Sequence, residues 1–136
     1  MAESSQRMCV SIVIPAYNSA AYIAETIESV KAQTFTDWEC VIVDDGSTDS
    51  TLQIAQKATA CDSRFSVISQ LNSGAASARN RGFEASCKDS EFVIFLDNDD
   101  LWLPDCLEVL TAAIEQSDEF PAVHGLSFVN KVEQSC

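Results

Sequence analysis

Basic residues are scarce in this chain: eight Lys and Arg stand against 21 Asp and Glu, a formal net charge of −13 over 136 residues. A surface this acidic repels nucleic-acid backbones and anionic lipids, which excludes a non-specific DNA or RNA binder. It also means that an anionic ligand needs a divalent cation or local basic groups to be held. Histidine occurs once, at His124, and none of the six cysteines (Cys9, Cys40, Cys61, Cys87, Cys106, Cys136) is spaced as CxxC, so zinc-site spacing is absent. Glycine-rich signatures are missing too: there is no GxGxxG, no GxxxxGK[ST] and no GxSxG. No run approaches the ~18 apolar residues of a membrane span, and the polar residues 1–8 do not read as a signal peptide. A reducing, cytoplasmic setting is expected, with attachment at the cytoplasmic membrane face left open.

What remains is ample for a folded core. Hydrophobic residues make up 46% of the chain and charged residues an ordinary 21%, and the length suits one domain. Residues 1–8 read as a flexible tail, and 9–136 as the folded part. Short β-branched or apolar runs predict strands at Cys9–Ile14, Trp38–Val43, Phe65–Ser69, Glu91–Leu96 and Pro121–Val129. Between them, periodic patterns predict helices over Ala20–Gln33, Ser50–Ala60, Ala75–Ser86 and Pro104–Ser117, the last opening on a proline suited to a helix's first turn. Fourfold alternation of strand and helix predicts an α/β domain with a mostly parallel sheet flanked by helices on both faces. Cys9, Cys40 and Cys61 lie in or beside apolar segments and read as small hydrophobes.

In such sheets ligands bind outside the carboxyl ends of the strands, so the residues after each strand are the candidates. They are Pro15-Ala16-Tyr17-Asn18, then Asp44-Asp45-Gly46-Ser47-Thr48-Asp49, then Asn72-Ser73-Gly74 with Ala78-Arg79-Asn80-Arg81-Gly82, and finally Asp97-Asn98-Asp99-Asp100. Acids this close repel unless a cation or donors compensate. Hard oxygen ligands suit Mg²⁺ or Mn²⁺, which would bridge to phosphate oxygens. Asp99 or Asp100 capping the next helix beside solvated acids explains the same residues equally well. An EF-hand fails, because Leu101 and Trp102 stand where an acid and the obligatory glycine belong. A haloacid-dehalogenase-type phosphatase also carries DxD after a strand; Leu101 and the three preceding strand–helix units count against it, and it stays as an alternative. Gly46 permits a tight turn, and Ser47, Thr48 or Asp49 can cap the next helix, which leaves the paired acids Asp44 and Asp45 to explain. Arg79 can pair bidentately with a diphosphate, or with a surface acid, the reading preferred for Arg81. His124 reads as structural, and Trp102 as a packing anchor under the acidic loop.

Five segments in order carry a resemblance: Ser11–Asn18, Gln33-Thr34-Phe35, Asp44–Asp49, Ala78–Gly82 and Leu96–Asp100. Over residues 9 to 110 the sequence resembles the family 2 inverting glycosyltransferases, which have the GT-A fold. The resemblance implies that Pro15, Ala16, Tyr17 and Asn18 line the nucleobase and ribose pocket, and that Asp45 contacts the base, usually uracil. It implies that Asp97 binds ribose or metal-bound water, that Asp99 is the direct metal ligand, and that Arg79 lies near the diphosphate. Asn98 is grouped with the substrate-binding residues. The implied ligands are a nucleotide diphosphate sugar, a UDP-sugar foremost, and Mg²⁺ or Mn²⁺. The implied activity is inverting transfer to an unidentified glycan, lipid or protein hydroxyl. In the family the general base lies well beyond the DxD, and no acid from Glu108 to Glu133 sits in a matching motif. The expectation is therefore a donor-binding part truncated after about the fifth strand. Its other outcome is a non-catalytic binding or assembly fragment, self-associating through the exposed edge.

Overall fold

The structure is a computed structural model that describes residues 9–88 and 90–115. Four strands form one sheet: β1 (Val10–Ala16), β2 (Trp38–Asp44), β3 (Phe65–Ser69) and β4 (Phe92–Phe95). They alternate with α1 (Ile23–Lys31), α2 (Thr51–Thr59), α3 (Ala75–Ala85) and α4 (Cys106–Glu115). All pairings are parallel and the order is β3-β2-β1-β4. Every strand and helix expected within the described residues is present. The expected strand over Pro121–Val129, His124 and the tail 1–8 lie outside them.

β1 is central, and all seven of its residues are buried. Ile12 and Ile14 with Cys40, Ile42, Ile94 and Leu96 form one face. That face meets the stripe Ile23, Ile27 and Val30 on α1, Ala55 on α2, and Cys106, Leu107 and Leu110 on α4. The opposite face is smaller: Val41 and Val43 pack on Ala78 of α3, where Gly82 lets the helix approach Val13. β4 has a neighbour on one side only among the described residues, so Phe92, Val93 and Phe95 stay half-buried despite their apolar character.

Three expectations shift in detail. β1 does not stop before Pro15 but continues to Ala16, because a proline is harmless at this point. Alternate residues of β1 bond to alternate neighbours: Ala16 O accepts from Asp45 N–H on the β2 side, and Val13 O accepts from Leu96 N–H on the β4 side. Pro15 therefore turns its missing N–H toward β4, whose pairing has already ended at Val13↔Phe95. Pro104 precedes α4 rather than opening it, with its carbonyl accepting the Thr34 N–H at 2.8 Å. Among the thiols, Cys40 is buried and packs as a hydrophobe in the core, Cys9 is half-buried with its Sγ 3.7 Å from Ser90 Oγ, and Cys61 is exposed.

Candidate functional site

The chain runs outward from β1 through β2 to β3, then returns across β1 to β4. The direction of winding thus reverses between β1 and β4, and the carboxyl ends of strands flanking such a reversal part to leave a crevice. A cavity of about 240 Å³ opens there, lined by Pro15, Ala16 and Tyr17 after β1, Asp45 after β2, Asn72, Gly74, Ala75, Ala78 and Arg79 around the start of α3, and Asp97 and Asn98 after β4. Seven of the eight expected substrate-binding residues line it. The eighth, Asn18, lies outside the lining with a positive φ of 49°. Its Oδ1 accepts the Thr48 N–H at 2.8 Å, and its own N–H donates to Ser47 Oγ at 2.9 Å, which locks the β1 and β2 exits together.

The paired acids after β2 divide because successive side chains leave a strand on opposite faces. Asp44 is buried; its Oδ2 accepts the Ser47 N–H at 3.3 Å, and its Oδ1 has no protein partner. Asp45, 3% exposed, braces the segment leading into α3. Its Oδ1 accepts from Gln70 Nε2 and the Ser73 N–H, both at 2.8 Å; its Oδ2 accepts from the Gly74 N–H at 2.9 Å and from Asn72 Nδ2 at 3.3 Å. Burial alone would raise the Asp45 pKa, but the bonds from Gln70, Ser73 and Gly74 outweigh it and hold the carboxyl below the usual carboxylate range. Gly46, at φ 74°, permits this closure, since a Cβ there would stand 2.6 Å from Asn72 N. The expected cap by Ser47, Thr48 or Asp49 is not formed: the N-cap position of α2 is Ser50, without a side-chain cap bond, and Asp49, just before it, accepts the Thr51 N–H at 2.9 Å.

Leu96 is fully buried, and the acids emerge directly after it. Asp97, Asp99 and Asp100 can each offer a carboxylate oxygen, all within 4.8 Å of one another. Desolvation pushes the Asp97 carboxyl above the usual range; Asp100 and Asp99 add to the rise, and Arg79 opposes it. Arg79 therefore faces the acids from α3, whereas Arg81 is exposed. Three hard oxygen donors this close together fit a divalent ion such as Mg²⁺ or Mn²⁺. Trp102 is buried beneath this loop, as its sequence position suggests.

Several contributors escaped the sequence reading. Asp100, weighed in the acidic segment but not assigned to the metal, joins the two expected acids. Gln70 and Asn72 hold Asp45. Thr26 and Gln33 hold the acidic loop: Thr26 Oγ1 donates to the Asn98 carbonyl at 2.9 Å, and Gln33 Nε2 to the Leu103 carbonyl at 2.7 Å. A signal for Thr26 existed, as a polar residue inside the apolar stripe Ile23, Ile27, Val30.

A parallel sheet with an acidic loop and an opposed arginine at its winding reversal defines an α/β domain of the GT-A class. The sequence matches glycosyl transferase family 2 across residues 11–127, and the chain belongs to that family. It is 46% identical over 106 residues to the chondroitin synthase of Escherichia coli, covering 74% of this chain and 14% of that protein. Among solved structures it resembles S. aureus TarS in complex with UDP-GlcNAc, with TM-score 0.73 and 36% identity over 80% of this chain and 32% of that one. It also resembles the mannosyltransferase PcManGT of Pyrobaculum calidifontis in complex with GDP-Man and Mn2+, with TM-score 0.70 and 26% identity over 75% of this chain and 31% of that one. Family membership favours the glycosyltransferase reading over the phosphatase. The chain spans 31%, 38% and 39% of the length of three curated relatives, roughly a third. No helix among the described residues is long and apolar enough to cross a membrane.

Proposed function

We propose that residues 9–136 form the donor-binding part of a metal-dependent, inverting glycosyltransferase that takes a UDP-sugar and serves transfer to an acceptor hydroxyl. The observation that carries this reading is the cluster of Asp97, Asp99 and Asp100 facing Arg79 at the winding reversal of the sheet. Asp99 and Asp97 would hold Mg²⁺ or Mn²⁺, with Asp100 beside them. The ion would supply charge neutralisation for the departing diphosphate. Arg79 would approach the same diphosphate from α3, and Pro15, Ala16 and Tyr17 would form the wall against base and ribose, with Asn18 fixing that segment. Asp45 would meet the base while bracing the loop before α3, and Asn98 would contact the donor beside Asp97. TarS with UDP-GlcNAc and PcManGT with GDP-Man and Mn2+ support both the donor class and the metal. A cytoplasmic location, where nucleotide sugars are at hand, accompanies the proposal.

Calorimetry tests it. UDP binding is expected with Mn²⁺ or Mg²⁺ present and to vanish when the metal is chelated. Asp99→Ala should abolish the metal-dependent component; unchanged binding in that variant would remove the metal role.

A further inference from the structure

The loop that carries the three acids runs from Leu96 to Cys106, and α1 with the turn after it holds both ends. Gln33 is 5% exposed and uses its amide fully. Its Nε2 donates to the carbonyls of Ser29 at 3.1 Å and Leu103 at 2.7 Å, and its Oε1 accepts the Leu107 N–H at 2.9 Å in the first turn of α4. At the other end stands Thr26, fully buried on α1.

Thr26 behaves unlike Thr59 on α2 and Thr111 on α4, which are also buried. A helical Thr ordinarily returns its hydroxyl to the carbonyl four residues back. Thr59 does so to Ala55 at 2.9 Å, and Thr111 to Leu107 at 2.8 Å. The Thr26 hydroxyl instead leaves its helix and donates to the Asn98 carbonyl at 2.9 Å, 72 residues away in sequence. That carbonyl sits between Asp97 and Asp99. From the same residue, Asn98 Nδ2 donates to the Pro15 carbonyl at 3.0 Å, the group left over where β4 parts from β1. Inside the loop, the Asp100 N–H closes onto the Asp97 carbonyl at a long 3.2 Å. The peptide joining the acids is thus clamped from outside, by α1 through its oxygen and by β1 through its side chain.

We propose that Thr26 is a positioning residue for the acidic cluster: its hydroxyl fixes the peptide between Asp97 and Asp99 so that the carboxylates converge on one point. The proposal rests on the reading that those acids hold a divalent ion. Thr26→Val keeps the shape and removes the donor, leaving a part-buried carbonyl unpaired; Thr26→Ser keeps the donor. Losing one such bond corresponds to about a three- to tenfold change in an equilibrium.

Two measurements on the full chain separate the outcomes. In Thr26→Val, amide hydrogen exchange should accelerate about three- to tenfold at residues 97–101 while amides of β1 keep their protection. The Mn²⁺ dissociation constant, read by electron paramagnetic resonance with UDP present, should rise by a similar factor. Thr26→Ser should restore both to within about twofold. Exchange at 97–101 that matches wild type in Thr26→Val would overturn the proposal. So would faster exchange with unaltered Mn²⁺ affinity, and so would protection lost equally across β1 without rescue by serine, which marks a residue of general stability. A wild-type chain that binds no Mn²⁺ sinks the proposed function instead, and the exchange pattern and its rescue by serine then decide whether Thr26 orders the loop.

Discussion

Replacing Asp45 with Asn changes a single oxygen to an NH2 group, yet it should unsettle the whole segment that leads into α3. The carboxylate accepts from Gln70, Asn72, Ser73 and Gly74 at 2.8 to 3.3 Å. An amide offers one oxygen, so the donors on the other side lose an acceptor and meet N–H groups. Hydrogen bonds to a charged acceptor contribute about 1.5–3 kcal/mol each. Two are lost, but Ser73 and Gly74 are exposed and regain water, which reduces the expected loss to about 2–3 kcal/mol at pH 7. The sign of the pH dependence follows from the depressed pKa of Asp45. A carboxyl whose folded pKa lies below its unfolded value, about 3.9, stabilises the fold fully above that unfolded value. This contribution fades as pH falls toward the folded pKa and is gone below it. Urea unfolding of wild type and Asp45→Asn at pH 7 and pH 3 isolates this group, because the other carboxyls cancel in the difference. The gap between the two proteins should shrink at pH 3. An equal gap at both pH values, or an asparagine variant as stable as wild type at pH 7, would refute the account of Asp45 as a charged brace.

Two further outcomes are expected. Gly82→Ala should destabilise the chain by about 1–3 kcal/mol in urea unfolding, because its Cβ would stand 2.3 Å from Val13 Cγ1 and 3.2 Å from Val43 Cγ2; Val13→Ala in the same chain should recover part of that loss. Light scattering of the purified chain should show concentration-dependent self-association through its exposed apolar groups, Leu71, Leu101, Leu103 and Val109 among them, and a monomer at all concentrations would count against that surface.

The fold was readable because its signals are local and repeated. Alternating β-branched runs and periodic helices specify a parallel α/β layer, and polar residues at four strand ends specify which edge binds. The family segments then named most of the crevice lining. What could not be read were partners set by tertiary geometry. Asp44 and Asp45 look equivalent in sequence, but strand alternation sends one toward the loop after β2 and the other to the segment before α3. Asn18 looks like a lining residue, yet its positive φ turns the amide to Thr48. Thr26 looks like a tolerated interruption of an apolar stripe; its partner is 72 residues away, which no periodicity encodes. Pro15 looks like a strand terminator, and becomes harmless only because β4 ends beside it.

The scarcity of basic residues acquires a mechanical meaning at the crevice. Arg79 is the one basic side chain among the residues lining the cavity, against Asp45 and Asp97, with Asp99 and Asp100 at the rim. Asp45 is balanced internally by its four donors and exerts little demand on a ligand. Asp97 is not: desolvation and its two acidic neighbours raise its pKa, and Arg79 only partly offsets them. A diphosphate approaching this side would meet three carboxylates and one guanidinium, a net repulsion at short range. A divalent ion would cancel that net charge and would let the arginine and the metal share the diphosphate. Metal dependence of donor binding is therefore expected from the charge balance of the crevice alone. Removing Asp97 and Asp100 together should loosen the metal and also weaken the requirement for it, leaving weak metal-free binding of UDP through Arg79.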